Sequence, residues 1–138
     1  MGRSLNDAEP IRRRAVLDTS VLLAPEMPDL PHELAVSAAS FAELHFGVML
    51  AEDEAVRSAR LRRIGIVESR FQALPIDGDV AREYGRLAAA VVHAGRQPRR
   101  RTMDLLIAAT AVAHGAALYT RNADDLKGLE QLVDIVAV

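Results

Sequence analysis

The residues of this chain that could do chemistry are mostly acidic, and they are far apart in the sequence. The candidate metal-binding and catalytic side chains are Asp18, Glu43, Asp104, Asn122, Asp124 and Asp125. Asp18 follows a short apolar run that predicts a buried strand, and the last three follow another such run. Glu43 and Asp104 stand near the starts of two predicted helices. Because the carboxyl ends of parallel strands meet at one edge of a sheet, we expect these side chains to converge there.

A group of carboxylates at one edge favours a hard divalent cation. Crowded carboxylates repel one another, and some stay protonated unless a cation neutralises them. Mg²⁺ and Mn²⁺ prefer such all-oxygen ligands, and a bound ion lowers the pKa of water and stabilises charge on a phosphoryl group. The chain contains no cysteine, which excludes disulfides, zinc–thiolate sites and thiol nucleophiles. The pattern therefore predicts a Mg²⁺ or Mn²⁺ site suited to phosphoryl chemistry.

Each acidic residue also has a purely structural interpretation. Asp18 is a suitable N-cap for the turn that follows it. Glu43 stands three residues after Ser40, which is the spacing of a capping box. Asp104 lies in the first turn of a helix that Thr102 is expected to cap, where a negative charge complements the helix dipole. No single position is specific, so the prediction rests on their joint placement.

Alternating strands and helices are predicted to position these side chains. Short apolar runs predict strands at residues 15–17, 34–36, 74–76, 117–119 and 133–138. Periodic or apolar segments predict a helical turn at 21–23 and helices from a serine cap at Ser37 or Ser40 to about Leu50, and at 53–70, 79–94 and 103–114. Pro75 suggests that the third strand lies at an edge. This alternation indicates an α/β fold with a central parallel sheet covered by helices on both faces.

Length and composition predict one small domain. Half of the residues are apolar but only 4% are aromatic, so aliphatic side chains must fill the core. Residues 1–13 are polar and are predicted to form a flexible arm before a single domain at 14–138. No apolar run approaches the roughly 20 residues of a membrane span, and no apolar segment of a secretory signal is visible near the N-terminus. We therefore expect a soluble cytoplasmic protein that does not bind membranes.

Four segments of the chain resemble the PIN domain, and within it the VapC-type toxins of bacterial toxin–antitoxin systems. They are Leu17-Asp18-Thr19-Ser20, Ser40-Phe41-Ala42-Glu43-Leu44 with Gly47, the run DLLIAATA from Asp104, and Thr120-Arg121-Asn122 followed by Asp125-Leu126. The resemblance runs from about Arg14 to the end of the chain. It implies an α/β/α sandwich and a Mg²⁺- or Mn²⁺-dependent endoribonuclease that leaves a 5′-phosphate and a 3′-hydroxyl. It also implies a tightly bound VapB-type antitoxin and a homodimer.

The resemblance assigns Asp18, Glu43 and Asp104 to the acidic metal-site positions. The fourth position falls in the turn after Thr120, where Asp125 matches the acidic group and Asn122 matches a polar position; this leaves the fourth ligand open. We expect Asp18 and Asp104 to hold the main ion and Glu43 to bind a second ion or act as general base. Thr19 and Thr120 are expected to donate hydrogen bonds that orient these ligands, and Ser20 to satisfy its turn.

A run of arginines precedes Asp104 directly. Arg96, Arg99, Arg100 and Arg101 lie in a segment that is predicted to be a loop. Because arginine suits bidentate contacts to phosphate, this loop is predicted to hold the RNA backbone that the carboxylates would otherwise repel. The alternative is a solvated, mobile loop without a ligand.

Other functions fit the chain less well. A phosphoaspartyl hydrolase needs a D-x-D motif, but Ser20 stands two residues after Asp18. A receiver domain needs a lysine late in a strand, whereas Lys127 follows the acidic turn. A non-enzymatic binding domain would leave the acidic trio as caps. The strongest alternative is a PIN-domain nuclease that acts in RNA processing or repair without an antitoxin.

Overall fold

Five short parallel strands form the central sheet of the computed structural model, which describes residues 14–26, 29–30 and 33–138. They are β1 (Arg14–Leu17), β2 (Glu33–Ser37), β3 (Ala73–Leu74), β4 (Ala117–Thr120) and β5 (Ile135–Ala137), in the order β3-β2-β1-β4-β5. All pairings between neighbouring strands are parallel. β3 lies at one edge of the sheet, as expected. It ends at Leu74, so Pro75 follows the strand and is not part of it. The predicted parallel α/β fold is confirmed.

Five α-helices and two short 3-10 helices connect these strands within the described residues. They are α1 (Thr19–Leu22), α2 (Ala38–Met49), α3 (Glu54–Arg70), α4 (Gly78–His93) and α5 (Thr102–Ala113), with 3-10 helices at Pro98–Arg101 and Ala123–Leu126. The side chains of Ser37, Asp53 and Asp77 accept hydrogen bonds from backbone N–H groups in the first turns of α2, α3 and α4, as N-caps do. Gly95 adopts a φ of 79° just after α4, a conformation that favours glycine.

Successive residues of the central strands point to opposite faces of the sheet. Val16 and Leu118 pack in a cluster with α4 and α5, whereas Leu17 and Tyr119 pack in a second cluster with α1, α2 and α3. Because both faces are covered, β1 and β4 are buried and apolar along nearly their whole length. These two strands therefore form a rigid support for the residues that follow their carboxyl ends, which are Asp18 after β1 and the turn after Thr120.

The structure decides between two alternatives for the cap of α2 and corrects two local predictions. Ser40 does not cap α2, because the helix begins at Ala38 after the Ser37 cap, and the proposed capping box with Glu43 is not formed. Thr102 is the first residue of α5, and its hydroxyl donates to the carbonyl of Arg99. The arginine segment is not a loop throughout, since its last four residues form a 3-10 helix that leads into α5. The arm predicted at 1–13 lies outside the described residues.

The strand order reverses between β1 and β4. From β1 the chain builds outward through β2 and β3, and it then returns to place β4 on the other side of β1. In open α/β sheets, ligands bind beyond the carboxyl ends of the strands at such a reversal. In the part of the chain that the structure describes, no helix is long and apolar enough to cross a membrane.

Candidate active site

Asp18 lies at the carboxyl end of β1, where the strand order reverses. Its backbone N–H donates to the carbonyl of Tyr119 at 2.9 Å, which extends the β1–β4 pairing and fixes the Asp18 backbone. The hydroxyls of Ser20 and Thr120 both donate to Asp18 Oδ2, at 2.6 and 3.0 Å. Since no described residue is hydrogen-bonded to Oδ1, this is the Asp18 oxygen available to a cation.

Glu43 is held by a hydroxyl from the neighbouring helix. Thr19, at the start of α1, donates from Oγ1 to Glu43 Oε1 at 2.7 Å, and the Ser40 hydroxyl is hydrogen-bonded to the same Thr19 oxygen at 3.0 Å. Ser40 is fully buried one turn before Glu43 on α2. The contact ties α1 to α2 and directs the Glu43 carboxylate toward the residues after β1.

The pKa of Asp104 is affected by the other carboxylates of the site. Asp104 lies in the first turn of α5 and is partly buried. The pKa of its carboxyl is raised to about 6, first by burial and then by the charges of Asp18, Glu43 and Asp125, whereas Arg101 lowers it. Burial and like charge both disfavour the ionised form. The four acidic groups are therefore close enough to interact, although they are far apart in the sequence.

The turn after β4 contributes two more polar side chains, Asn122 and Asp125, to the site. A cavity of about 20 Å³ opens between this turn, β1 and α5. Its polar lining consists of Asp18, Asp104, Thr120, Asn122 and Asp125. Asp124 is exposed and does not line the cavity. Of the three residues that the sequence left open, Asn122 and Asp125 therefore line the cavity.

The chemistry of this donor set fits a hard divalent ion. Every side-chain ligand atom around the cavity is oxygen, apart from the amide nitrogen of Asn122, and carboxylates and amide oxygens are the donors that Mg²⁺ and Mn²⁺ prefer. The cavity is large enough for one water-sized group. Among the described residues, no three His, Cys, Asp or Glu side chains are already gathered as a ligand set. The pKa of Asp104 is nevertheless raised, first by burial and then by the charges of its acidic neighbours, and a cation would relieve the repulsion among these charges.

The four arginines are not equivalent. Arg99 and Arg100 are exposed on the 3-10 helix, and Arg96 is exposed and donates to the carbonyl of Lys127 at 3.3 Å. Arg101 instead turns inward, with its side chain 29% exposed and Nη1 3.9 Å from Asp125 Oδ1. Of the four, the structure brings only Arg101 to the carboxylates.

Two hydroxyl groups were assigned too small a role by sequence reasoning. Ser20 was expected mainly to satisfy its turn, yet it donates to Asp18 and accepts from the backbone N–H of Arg121 at 3.0 Å. Ser40 was considered as a helix cap, yet its hydroxyl is hydrogen-bonded to that of Thr19 at 3.0 Å. The available signal was the run Asp18-Thr19-Ser20, in which two hydroxyls follow an acid at the end of a buried strand.

Comparison with known proteins identifies the family. The sequence profile of the PIN domain matches residues 15–130, a span that contains all four carboxylates. The chain is 35% identical over 121 residues to Ribonuclease VapC5 of Mycobacterium tuberculosis, covering 83% of this chain and 87% of the relative. The chain belongs to the PIN-domain family, in its VapC group.

Two further comparisons agree with this VapC membership. Ribonuclease VapC4 of Mycobacterium tuberculosis is 36% identical over 118 residues, which is 81% of this chain and 88% of the relative. The crystal structure of VapBC-5 from Mycobacterium tuberculosis, a member of the VapBC family of toxin–antitoxin systems, superposes with a TM-score of 0.78 at 31% identity. That match covers 91% of this chain and 98% of the crystallised one. The PIN fold expected from the sequence motifs is thus confirmed over nearly the whole chain.

Proposed function

We propose that this PIN-domain protein is a metal-dependent endoribonuclease and the toxin of a VapBC-type toxin–antitoxin system. The VapC relatives, which are named ribonucleases, support the activity. The strongest support from the structure is the interaction of Asp18, Glu43 and Asp125 with Asp104. The pKa of Asp104 is raised to about 6 by burial and by the charges of these three residues. A site that concentrates negative charge in this way is suited to a cation and, through it, to a phosphate.

Asp18, Asp104 and Asp125 would hold Mg²⁺ or Mn²⁺, with the side-chain oxygen of Asn122 as a neutral fourth donor. When bound, the ion lowers the pKa of water and stabilises negative charge on the phosphoryl oxygens. Asp18 would bind through Oδ1, because Ser20 and Thr120 already occupy Oδ2. These hydroxyls keep the carboxylate oriented, as groups behind metal ligands commonly do.

Glu43 would act as general base. Thr19 holds its Oε1, so Oε2 is the oxygen that accepts a proton from the attacking water. The water oxygen forms a bond to phosphorus in line with the P–O3′ bond, which breaks. The departing O3′ takes a proton from solvent, and the products carry a 5′-phosphate and a 3′-hydroxyl.

Arg96, Arg99 and Arg100 would hold the RNA backbone beside the site. Arg96 and Arg100 line an open depression next to the acidic cavity, and guanidinium groups bind phosphate oxygens in pairs. Their positive charge offsets the repulsion that the carboxylates exert on a polyanion.

An apolar groove beside Glu43 supports a protein partner. The groove encloses about 470 Å³ between α1, α2 and α3, and Thr19, Glu43, Leu44 and Ile64 are among the residues that line it. Leu23, which also lines it, is 63% exposed. We infer that an antitoxin segment covers this groove and places a basic side chain against the carboxylates, which are natural receptors for guanidinium. A homodimer in the cytoplasm stays a prediction that light scattering and cell fractionation would check.

Expression in a bacterial host tests the proposal. Expression of the chain alone should slow growth, and co-expression of the small protein encoded next to it should restore growth. Sequencing of RNA 5′ ends after brief induction should show new ends that are absent from cells expressing Asp104→Asn. New RNA ends without any growth defect would favour a processing nuclease, and an absence of new ends would overturn the ribonuclease proposal.

A further inference from the structure

We propose that Arg101 is a catalytic residue whose guanidinium contacts the scissile phosphate, and that this separates it from the other arginines of its segment. The inference rests on the proposed ribonuclease function. The sequence placed Arg96, Arg99, Arg100 and Arg101 in one group that holds the RNA backbone, whereas the structure gives Arg101 different surroundings. We therefore assign Arg101 to the phosphate at which the RNA is cleaved, and not to the RNA backbone farther from the site.

Arg101 lies at the boundary between two surfaces. On one side is an open depression of about 370 Å³ that it lines together with Arg96, Gln97 and Arg100. On the other side is the acidic cavity, whose wall includes Asp125. An RNA strand that follows the arginines toward the carboxylates would therefore pass Arg101 where it reaches the cavity.

One nitrogen of the Arg101 guanidinium, Nη1, is buried without an acceptor among the described residues. Its distance of 3.9 Å from Asp125 Oδ1 is within range of an ion pair but too long for a hydrogen bond. A buried donor without an acceptor costs free energy, and this cost is relieved when an acceptor arrives.

A phosphate oxygen suits this position better than a carboxylate of the site. A cation bound by Asp125 would satisfy that carboxylate and weaken its attraction for Arg101. The planar fork of the guanidinium matches two oxygens of one phosphate. A small rotation of the Arg101 side chain would exchange the long contact with Asp125 for hydrogen bonds to the phosphate.

The partial burial of the Arg101 side chain limits its movement before substrate arrives. Arg101 is the last residue of the 3-10 helix and immediately precedes α5. The Thr102 hydroxyl donates to the carbonyl of Arg99 at 3.2 Å, an exposed contact between the 3-10 helix and the first turn of α5. A donor that is positioned in advance beside developing negative charge lowers a barrier more than one that must be ordered first.

The competing explanation is that Arg101 only offsets the repulsion among the carboxylates. Its positive charge lowers the pKa of Asp104, against the effect of the acidic neighbours. If that were its whole role, a bound divalent cation would supply the same compensation, and removing Arg101 would change kcat little at saturating Mn²⁺. If Arg101 contacts the phosphate, a divalent cation should bind at least as tightly without it, since one repelling charge has gone.

The experiment compares Arg101→Ala, Arg101→Lys, Arg100→Ala and Arg82→Ala with the wild type. Arg82 is exposed on α4 and serves as the matched control for loss of one positive charge. A short labelled RNA that spans a cleavage site found by 5′-end sequencing is the probe for kcat and KM. Mn²⁺ affinity is measured without RNA by electron paramagnetic resonance, and circular dichroism checks folding.

We expect Arg101→Ala to lower kcat at least about tenfold, as loss of a preorganised donor does, while its Kd for Mn²⁺ is no weaker than that of the wild type. Arg101→Lys should recover part of kcat and show whether the Ala variant is merely misfolded. Arg100→Ala should raise KM with little change in kcat, and Arg82→Ala should change neither.

A smaller fall in kcat, or a loss of Mn²⁺ affinity that accompanies the fall, would overturn the assignment. A wild-type protein that cleaves no RNA would instead contradict the proposed function itself, and this inference would fall with it. The activity of the wild type therefore shows whether the Arg101 assignment alone has failed or the ribonuclease proposal as well.

Discussion

At the scale of single residues, hydroxyl groups decide how the carboxylates present themselves. Ser20 and Thr120 hold one oxygen of Asp18, and Thr19 holds one oxygen of Glu43. Each carboxylate thus keeps its second oxygen for a cation or a water. The acidic positions and the donor roles of Thr19 and Thr120 could be predicted from residue type and motif. Which carboxylate oxygen each hydroxyl contacts could not, because Thr120 is 102 residues from Asp18.

The raised pKa of Asp104 predicts a pH dependence of stability. Folding raises this pKa from 3.8 to about 6. Between these two pH values Asp104 is therefore mostly protonated in the metal-free folded state and mostly ionised in the unfolded state. The stabilisation is complete below the unfolded pKa and is lost as the pH rises through about 6. The Tm of the wild type in chelator, relative to that of Asp104→Asn, should therefore fall between about pH 5 and about pH 7.5.

Mn²⁺ should reverse this trend, because the cation competes with the proton for Asp104. The increase in Tm that Mn²⁺ causes in the wild type should grow over the same interval, and in Asp104→Asn it should be small throughout. A difference in Tm between the two proteins that does not change with pH would contradict the assigned burial and charge of Asp104.

At the scale of elements, a buried pair of hydroxyls links the two helices that carry Glu43 and Asp104. Thr110 on α5 donates to the carbonyl of Leu106 at 2.7 Å. Its oxygen therefore accepts from Ser37, the N-cap of α2, over 3.0 Å. Both hydroxyls are fully buried. The pair fixes the first turn of α2 against the middle of α5.

Thr110→Val keeps the shape of the side chain and leaves the buried Ser37 hydroxyl without its acceptor. We expect the free energy of unfolding to fall by about 1–3 kcal/mol, measured by urea denaturation. The matched control is Thr102→Val on the same helix, where the hydroxyl is exposed and the expected change is within about 0.5 kcal/mol. Equal stability of the two variants would show that the buried pair does not hold α2 against α5.

The element boundaries show which part of the fold local sequence determines. Strands β1, β2 and β4 were predicted within one or two residues, because each is a short apolar run that becomes buried in the sheet. The cap of α2 was left open between Ser37 and Ser40, and the cap of α5 was misplaced, because several residues near each start have cap-like side chains. Ser40 and Thr102 use their hydroxyls for other contacts, and only the assembled structure shows which residue becomes the cap.

At the scale of the whole molecule, the order of the strands brings the acidic residues together. The reversal between β1 and β4 places Asp18 beside the turn that carries Asn122 and Asp125, while α2 and α5 supply Glu43 and Asp104 from the helical layers. The fold class followed from alternating strands and helices. The strand order did not, since it depends on pairings between residues about 100 positions apart.

The cleavage rate of Asp104→Asn in Mn²⁺ tests the metal-dependent site most directly. Asn keeps the shape of the side chain but removes the charge that holds a divalent ion. We predict a folded protein whose cleavage is at least about a hundredfold slower, whereas Asp124→Asn, the same change at an exposed residue outside the cavity, should leave cleavage unchanged. Near-normal cleavage by Asp104→Asn would contradict the account.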